Sequence, residues 1–272
     1  MDQGTIYNLK KFIENYSKVI DLQFNPSIEP KLPIDPYSKD YNERNRTAHY
    51  LLLVASINEG NIVGVADNAR ILIAKLYEYF NEDLFKITDE YLLKNVLYNI
   101  GNNLSLSRLR GKIPEILTSV NRFVIREAGG DLINYSRMFQ KPYDFVEQLG
   151  YNIPRMGKSK NSAKKKSWMY MRWMVREYPD LRIFDHFSSE DLFVPLDKNV
   201  ARVAMSLGVV KSLNNLSWKE VIAITKFART LYPEDPAKVD YPFFLLGRKI
   251  KELNLSLSTE SLKLLLNKPL SL

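Results

Sequence analysis

The stretch RTAHYLLLVASIN, residues 46–58, places the strongest constraint on the fold, because it is apolar nearly all round and leaves no face for water. Such a helix is stable only when other elements enclose it. The surrounding segments supply those elements, since their apolar residues recur at the spacing of one helical face. Residues 6–22 carry Ile6, Leu9, Phe12, Ile13 and Tyr16 in this pattern, and residues 65–80 carry Ala66, Ala69, Ile73, Leu76 and Phe80. Between the first helix and the central one, four prolines in NPSIEPKLPIDPYSKD prevent regular structure, and Asp40 or Asn42 caps the central helix. Further helices are predicted over 89–100, with Thr88 as cap and acid in the first turn, and over 105–128, broken by Gly129 and Gly130. A short helix over 141–149 is expected to stop at a left-handed Gly150, and two more span 217–231 and 240–253. LNLSLS alternates like a strand but has no hairpin partner. The expectation is a single all-α domain of two helical lobes. One is built over about residues 45–150 and the other over 151–272, with 1–44 packing on the second.

Composition narrows the chemistry. None of the 272 residues is cysteine, which excludes disulfides, thiolate zinc sites, cysteine-ligated iron–sulfur clusters and cysteine nucleophiles. The two histidines, His49 and His186, lie far apart without H-x-x-x-H spacing, so no metal is expected. No apolar run approaches the roughly 18 residues of a membrane span. Residues 1–20 hold neither an apolar secretory core nor a small-residue cleavage site, so a cytoplasmic protein is expected. A net charge of +8 points to a polyanionic partner. Residues 155–166 sharpen that, since Arg155, Lys158, Lys160, Lys164, Lys165 and Lys166 have no acidic residue among them.

That basic run opens RMGKSKNSAKKKSWMYMRWMVR, residues 155–176. On a helix starting near Ala163, Lys165, Met169, Arg172 and Arg176 share one face beside an apolar stripe of Trp168, Met171 and Val175. Three cations on a buried helix imply an anionic or polar group opposite, whereas a solvated basic face is the plainer alternative. Lys165 has features that favour a neutral, nucleophilic amine: Lys164 and Lys166 beside it, the positive end of its own helix, and Trp168 to exclude water. Downstream, Asp197 in FVPLDKNVARVAMSLG stands at an N-cap position, where backbone amides hold the carboxylate still. Capping alone accounts for an aspartate there, and capping is compatible with a chemical role.

Together the lysine helix and the VPLDKNVAR segment, residues 194–202, resemble the helix-hairpin-helix DNA glycosylase superfamily, and most of all its archaeal 8-oxoguanine DNA glycosylase/lyase branch and a related, poorly characterised family with a KKKSWMYMRWMVR-like helix. That likeness runs from about residue 150 to 250. It implies a two-lobed, HhH-GPD-like fold with the active site in the inter-lobe cleft, and a base-excision-repair glycosylase with AP lyase activity. On this basis Lys165 is the Schiff-base nucleophile, with Lys166 as the alternative register, and Asp197 stabilises the sugar cation. VDYPFFLLGRKI, residues 239–250, is similar to the branch's late helix. By this likeness Asp240 and Arg172 read the edge of the flipped base, and Met169 and Phe244 sandwich it. Arg155, Gly157, Lys158, Lys160, Lys164 and Lys166 would grip phosphates, Gly157 within a loop longer than the superfamily's tight Gly-x-Gly turn. The implied partner of this monomeric, nucleoid-associated protein is damaged double-stranded DNA, with oxidised purines such as 8-oxoguanine as substrates and no cofactor. The branch's early pocket glutamine and tryptophan have no counterpart here. Two other readings use the same residues: a non-catalytic helical nucleic-acid-binding module, and a helical protein-interaction scaffold.

Overall fold

The computed structural model describes residues 2–58, 65–100 and 111–267, and among them it contains twelve α-helices and no strand beyond one isolated bridge between Ser162 and Ser217. The first half comprises α1 (Gln3–Tyr16), α2 (Tyr41–Ile57), α3 (Val65–Phe80), α4 (Glu90–Ile100), α5 (Ile113–Arg122) and α6 (Leu132–Ser136). The second comprises α7 (Pro142–Asn152), α8 (Lys165–Val175), α9 (Lys198–Ser206), α10 (Trp218–Leu231), α11 (Asp240–Glu252) and α12 (Thr259–Leu266). Every residue of α2 from Thr47 to Ile57 is buried, as its apolar surface requires. Around it gathers a first core containing Ile73, Leu117, Phe145, Trp168 and Trp173. A second core joins α1 to α9–α12 through Leu9, Phe12, Val200, Ile224, Phe243 and Leu262. Phe193 and Trp218 border both cores.

Local chemistry explains where elements start and stop. Asp40 caps α2, its side chain accepting from Glu43 N at 2.9 Å. Ser217 and Glu220 form a reciprocal capping box at α10. At α4 the cap is Asp89, which accepts from the amides of Tyr91 and Leu92, rather than Thr88. The first helix ends at Tyr16, short of the predicted residue 22, and Asp21 instead caps the 3₁₀ turn Leu22–Phe24. α5 continues through the π-turn Phe123–Glu127 to the glycine pair, and the predicted start of this helix at residue 105 lies outside the described residues. No described helix is long and apolar enough to cross a membrane.

Gly150 departs from its predicted role as a helix stop. It lies inside α7, and a Cβ there would meet Gly157 O at 2.7 Å, so its lack of a side chain lets the next loop fold back onto the helix. That loop, residues 153–164, turns through three left-handed residues: Arg155 at φ 67°, Gly157 at φ 104° and Lys164 at φ 48°. α8 therefore begins at Lys165, two residues later than the sequence pattern suggests. Ser167 Oγ donates to Met156 O at 2.7 Å and Trp218 N donates to Asn161 O at 2.9 Å, tying the loop to α8 and to the start of α10.

Candidate active site

The three consecutive lysines at the start of α8 occupy three different environments. Lys164 is only 2% exposed, and its Nζ donates to Gly157 O at 2.7 Å and Ser159 O at 3.2 Å, closing the loop from inside. The same amine lies 3.1 Å from Glu147 Oε1, an ion pair without a directed hydrogen bond. Lys166 is 6% exposed, and its Nζ reaches across to α2 and donates to Ser56 O at 2.7 Å. Both were expected to grip phosphates, and burial corrects that: their ammonium groups are spent on the protein's own carbonyl oxygens. Gly157 contributes its carbonyl to Lys164 in the same way, and a Cβ there would strike the Lys164 side chain at 2.8 Å. Arg155, Lys158 and Lys160 remain on the exposed rim of the loop, where Lys158 Nζ lies 5.4 Å from the ring centre of the exposed Tyr151.

Lys165 is the partly exposed member of the three. Among the described residues its Nζ has one near neighbour of hydrogen-bonding type, the weak acceptor Met169 Sδ at 3.6 Å. Met169 is itself buried in the first core and receives Asn58 Nδ2 at 3.9 Å from the end of α2. Asp197 caps α9 as expected, Oδ1 accepting from Asn199 N at 2.7 Å and Val200 N at 2.9 Å. Its Oδ2 takes no hydrogen bond from the described residues. Asp197 is thus held by one oxygen and offers the other.

Asp240, the first residue of α11, links these groups. Its Oδ2 accepts from Arg172 Nη1 at 2.7 Å, while Oδ1 takes no hydrogen bond from the described residues, and the side chain keeps 10% of its surface open. Burial pushes this carboxyl up to about 7, opposed by Arg172; Asp197 raises it further and Lys165 lowers it. Asp240 therefore lies within electrostatic reach of both the Lys165 amine and the Asp197 carboxylate. Close packing of α9 on α11 sets the spacing of the two aspartates. A Cβ on Gly247 of α11 would stand 1.9 Å from Asn199 O, two residues after Asp197.

The other two cations of the stripe, Arg172 and Arg176 at the end of α8, are paired with aspartates, and only the buried Arg172 Nε lacks a hydrogen-bond partner among their nitrogens in the described residues. Arg172, 4% exposed, binds Asp240, Asp21 and, at 3.5 Å, Asp180. Arg176 binds Asp180 and grips Asp235 with Nε at 2.8 Å. Trp173 Nε1 adds a 2.9 Å bond to Asp21 Oδ2. Burial disfavours the Arg172 charge, but Asp180, Asp21 and Asp240 outweigh it and hold the guanidinium protonated. Asp180 is raised by its burial, against the pull of Arg172 and Arg176. The stripe is therefore neither a solvated basic face nor a set of free donors for a base edge. Arg172 reaches the site through Asp240, a correction to its expected direct contact with a base. Phe244 lies half-buried at the edge of the second core, its ring stacked 6.3 Å from Tyr241, whereas Met169 belongs to the first core.

Asp21, Asp180, Asp235 and Asn58 belong to this neighbourhood and carry no signal in their local sequence. Asp21 meets Arg172 from 151 positions away. The one hint of the aspartates was indirect, the buried cation stripe of α8 and its need for anions opposite. Residues 36–249 match the model of a family described as a protein of unknown function, DUF2400. Neither the curated proteins nor the solved structures contain a match to the chain.

Proposed function

We propose that this chain, which belongs to the DUF2400 family, is a DNA glycosylase with AP lyase activity that uses Lys165 as its nucleophile. The observation that carries this reading is the divergence of the three lysines. Lys164 and Lys166 are bound to backbone carbonyls, while the Lys165 amine stands partly exposed beside Met169, within the electrostatic reach of Asp240. A partly exposed amine, with Asp240 coupling it to a capping carboxylate that keeps a spare oxygen, suits attack on an electrophilic carbon that develops positive charge. The two cores, the first of which takes in α7 and α8, suit the two-lobed helix-hairpin-helix architecture that the sequence resembles.

In this reading the exposed loop cations Arg155, Lys158 and Lys160 hold the phosphates of a bent duplex, and the damaged nucleotide is flipped towards α8 and α11. Met169 and Phe244 flank the base. The Lys165 amine, once it has given up its proton to solvent, attacks C1′, the C1′–N9 bond breaks, and Asp197 Oδ2 faces the oxocarbenium charge as it forms. Loss of the proton from the resulting secondary ammonium, followed by breaking of the C1′–O4′ bond as O4′ takes up a proton, opens the sugar ring and gives the protonated Schiff base. Removal of a C2′ proton then expels the 3′ phosphate by β-elimination and cuts the strand. The likeness to the 8-oxoguanine branch makes oxidised purines the first substrates to try. Single-lesion duplexes incubated with the protein and borohydride test the reading. A covalent protein–DNA adduct that disappears in Lys165→Gln is expected, whereas no adduct with any lesion or abasic duplex would leave a nucleic-acid-binding module as the better reading.

A further inference from the structure

We infer that Asp240 is a catalytic proton carrier, delivering a proton to the departing base and recovering one from the Lys165 amine, with Arg172 as its positioning residue. The inference rests on the glycosylase reading and goes beyond it, since attack by Lys165 needs no group to neutralise the leaving base. Four observations support it. Asp240 sits in the first turn of α11, pinned through Oδ2 by the 2.7 Å bond from Arg172. Its Oδ1 has no donor among the described residues and belongs to a side chain that is still 10% open. Arg172 is locked by Asp21 and Asp180, so the carboxyl it holds is fixed in direction. Asp240 also lies in the field of both Lys165 and Asp197, the two groups to which the reaction assigns chemistry.

The charged groups facing Asp240 are Arg172 and Lys165 from α8, Asp197 from the α9 cap and Asp21 from the cap of the 3₁₀ turn, with Tyr241 next to it on α11. Burial is the largest influence, and the balance brings the carboxyl to about 7, so acid and carboxylate forms are both populated near neutral pH. The step balances. As the Lys165 nitrogen bonds to C1′, the electrons of the C1′–N9 bond move into the base, and the Asp240 proton neutralises it. The new C1′–N bond leaves a cationic secondary amine, whose proton passes to the Asp240 carboxylate. Asp240 thus ends as it began, and the base leaves neutral. Asp197 cannot serve in this way, because its Oδ1 is bound by two amides and its other oxygen faces the sugar charge.

The test separates base excision from Schiff-base formation in single-turnover assays of the full-length protein on a lesion duplex and on a duplex with a preformed abasic site. Abasic DNA has no base to protonate. Asp240→Asn is expected to lower lesion excision about a hundredfold, the usual range for losing a general acid, and to lower borohydride trapping on abasic DNA by much less. Wild-type excision should decline as pH rises through about 7, as the acid form is lost. Arg172→Lys, which weakens the group holding the carboxylate form, should move that decline to higher pH, a readout that does not depend on Asp240→Asn folding. Equal losses on both substrates, or a decline that stays in place in Arg172→Lys, would overturn the carrier role while leaving the lyase reading intact. If wild-type protein traps no abasic DNA, the glycosylase reading fails and the carrier role with it.

Discussion

Lys164, Lys165 and Lys166 differ by one position each, and their predicted mutational effects differ in kind. Lys164 and Lys166 hold buried carbonyl oxygens, so replacing either by Met strands those acceptors and should cost about 1.5–3 kcal/mol of stability, the range for bonds to charged groups. Lys165 makes no such bond, and Lys165→Gln should change stability by no more than about 0.5 kcal/mol, as for an ordinary surface change. Urea denaturation of the three variants checks this order, and a large loss in Lys165→Gln would place that side chain in the scaffold. The sequence made the lysine run visible but not its division, because three adjacent residues at a helix start share charge and propensity. What separates them is the left-handed backbone at Lys164, which turns its side chain back into the loop and brings Lys166 against α2. Asp197 was more legible. An aspartate before an amphipathic helix is a cap by its local pattern, and its position needs no knowledge of distant residues.

At the scale of elements, the helices were readable wherever one apolar face repeats, and their ends were readable where a capping side chain stands alone. They blurred where two candidates compete, as at Thr88 and Asp89, or where the start of α8 depends on loop geometry. The contact between α9 and α11 was not legible at all, since a glycine within a helix looks like a weak point until its neighbour is known. Gly247 is where Asn199 O comes too close for any side chain. Gly247→Ala would push the two helices apart at the backbone, where nothing can rotate away, and overpacking of this kind costs roughly 1–3 kcal/mol or more. Because those helices carry Asp197 and Asp240, lesion excision should fall further than the lost stability explains when assayed well below the melting temperature. Excision that merely tracks the folded fraction would remove the link between this contact and the site.

The whole molecule carries a net charge of +8, yet much of its most basic helix faces inward. Arg172 and Arg176 are matched by four aspartates drawn from the α1–α2 connector, the loop after α8, the approach to α11 and the first residue of α11 itself. This network is where the chain's distant parts converge, which is why a reading of α8 alone left both a solvated face and a pocket wall open. In the proposed function, the cations left to hold phosphates are those on the rim of the 153–164 loop. Replacing Lys158 and Lys160 together by Gln should therefore lower the slope of log affinity against log salt for duplex DNA by about 2, at roughly 0.9 per phosphate contact. The same change in Lys164 and Lys166 should leave the slope of folded protein unaltered, and fluorescence anisotropy across a salt series distinguishes the two pairs.

If one amine of the three carries the proposed chemistry, peptide mapping will identify it. Protein reduced with borohydride on an abasic-site duplex would be digested with nuclease and a protease, and the peptides covering residues 155–176 sequenced by mass spectrometry. A residual deoxyribose fragment is expected on Lys165, with Lys164 and Lys166 unmodified. A fragment on Lys166, or on neither Lys165 nor Lys166, would contradict that expectation.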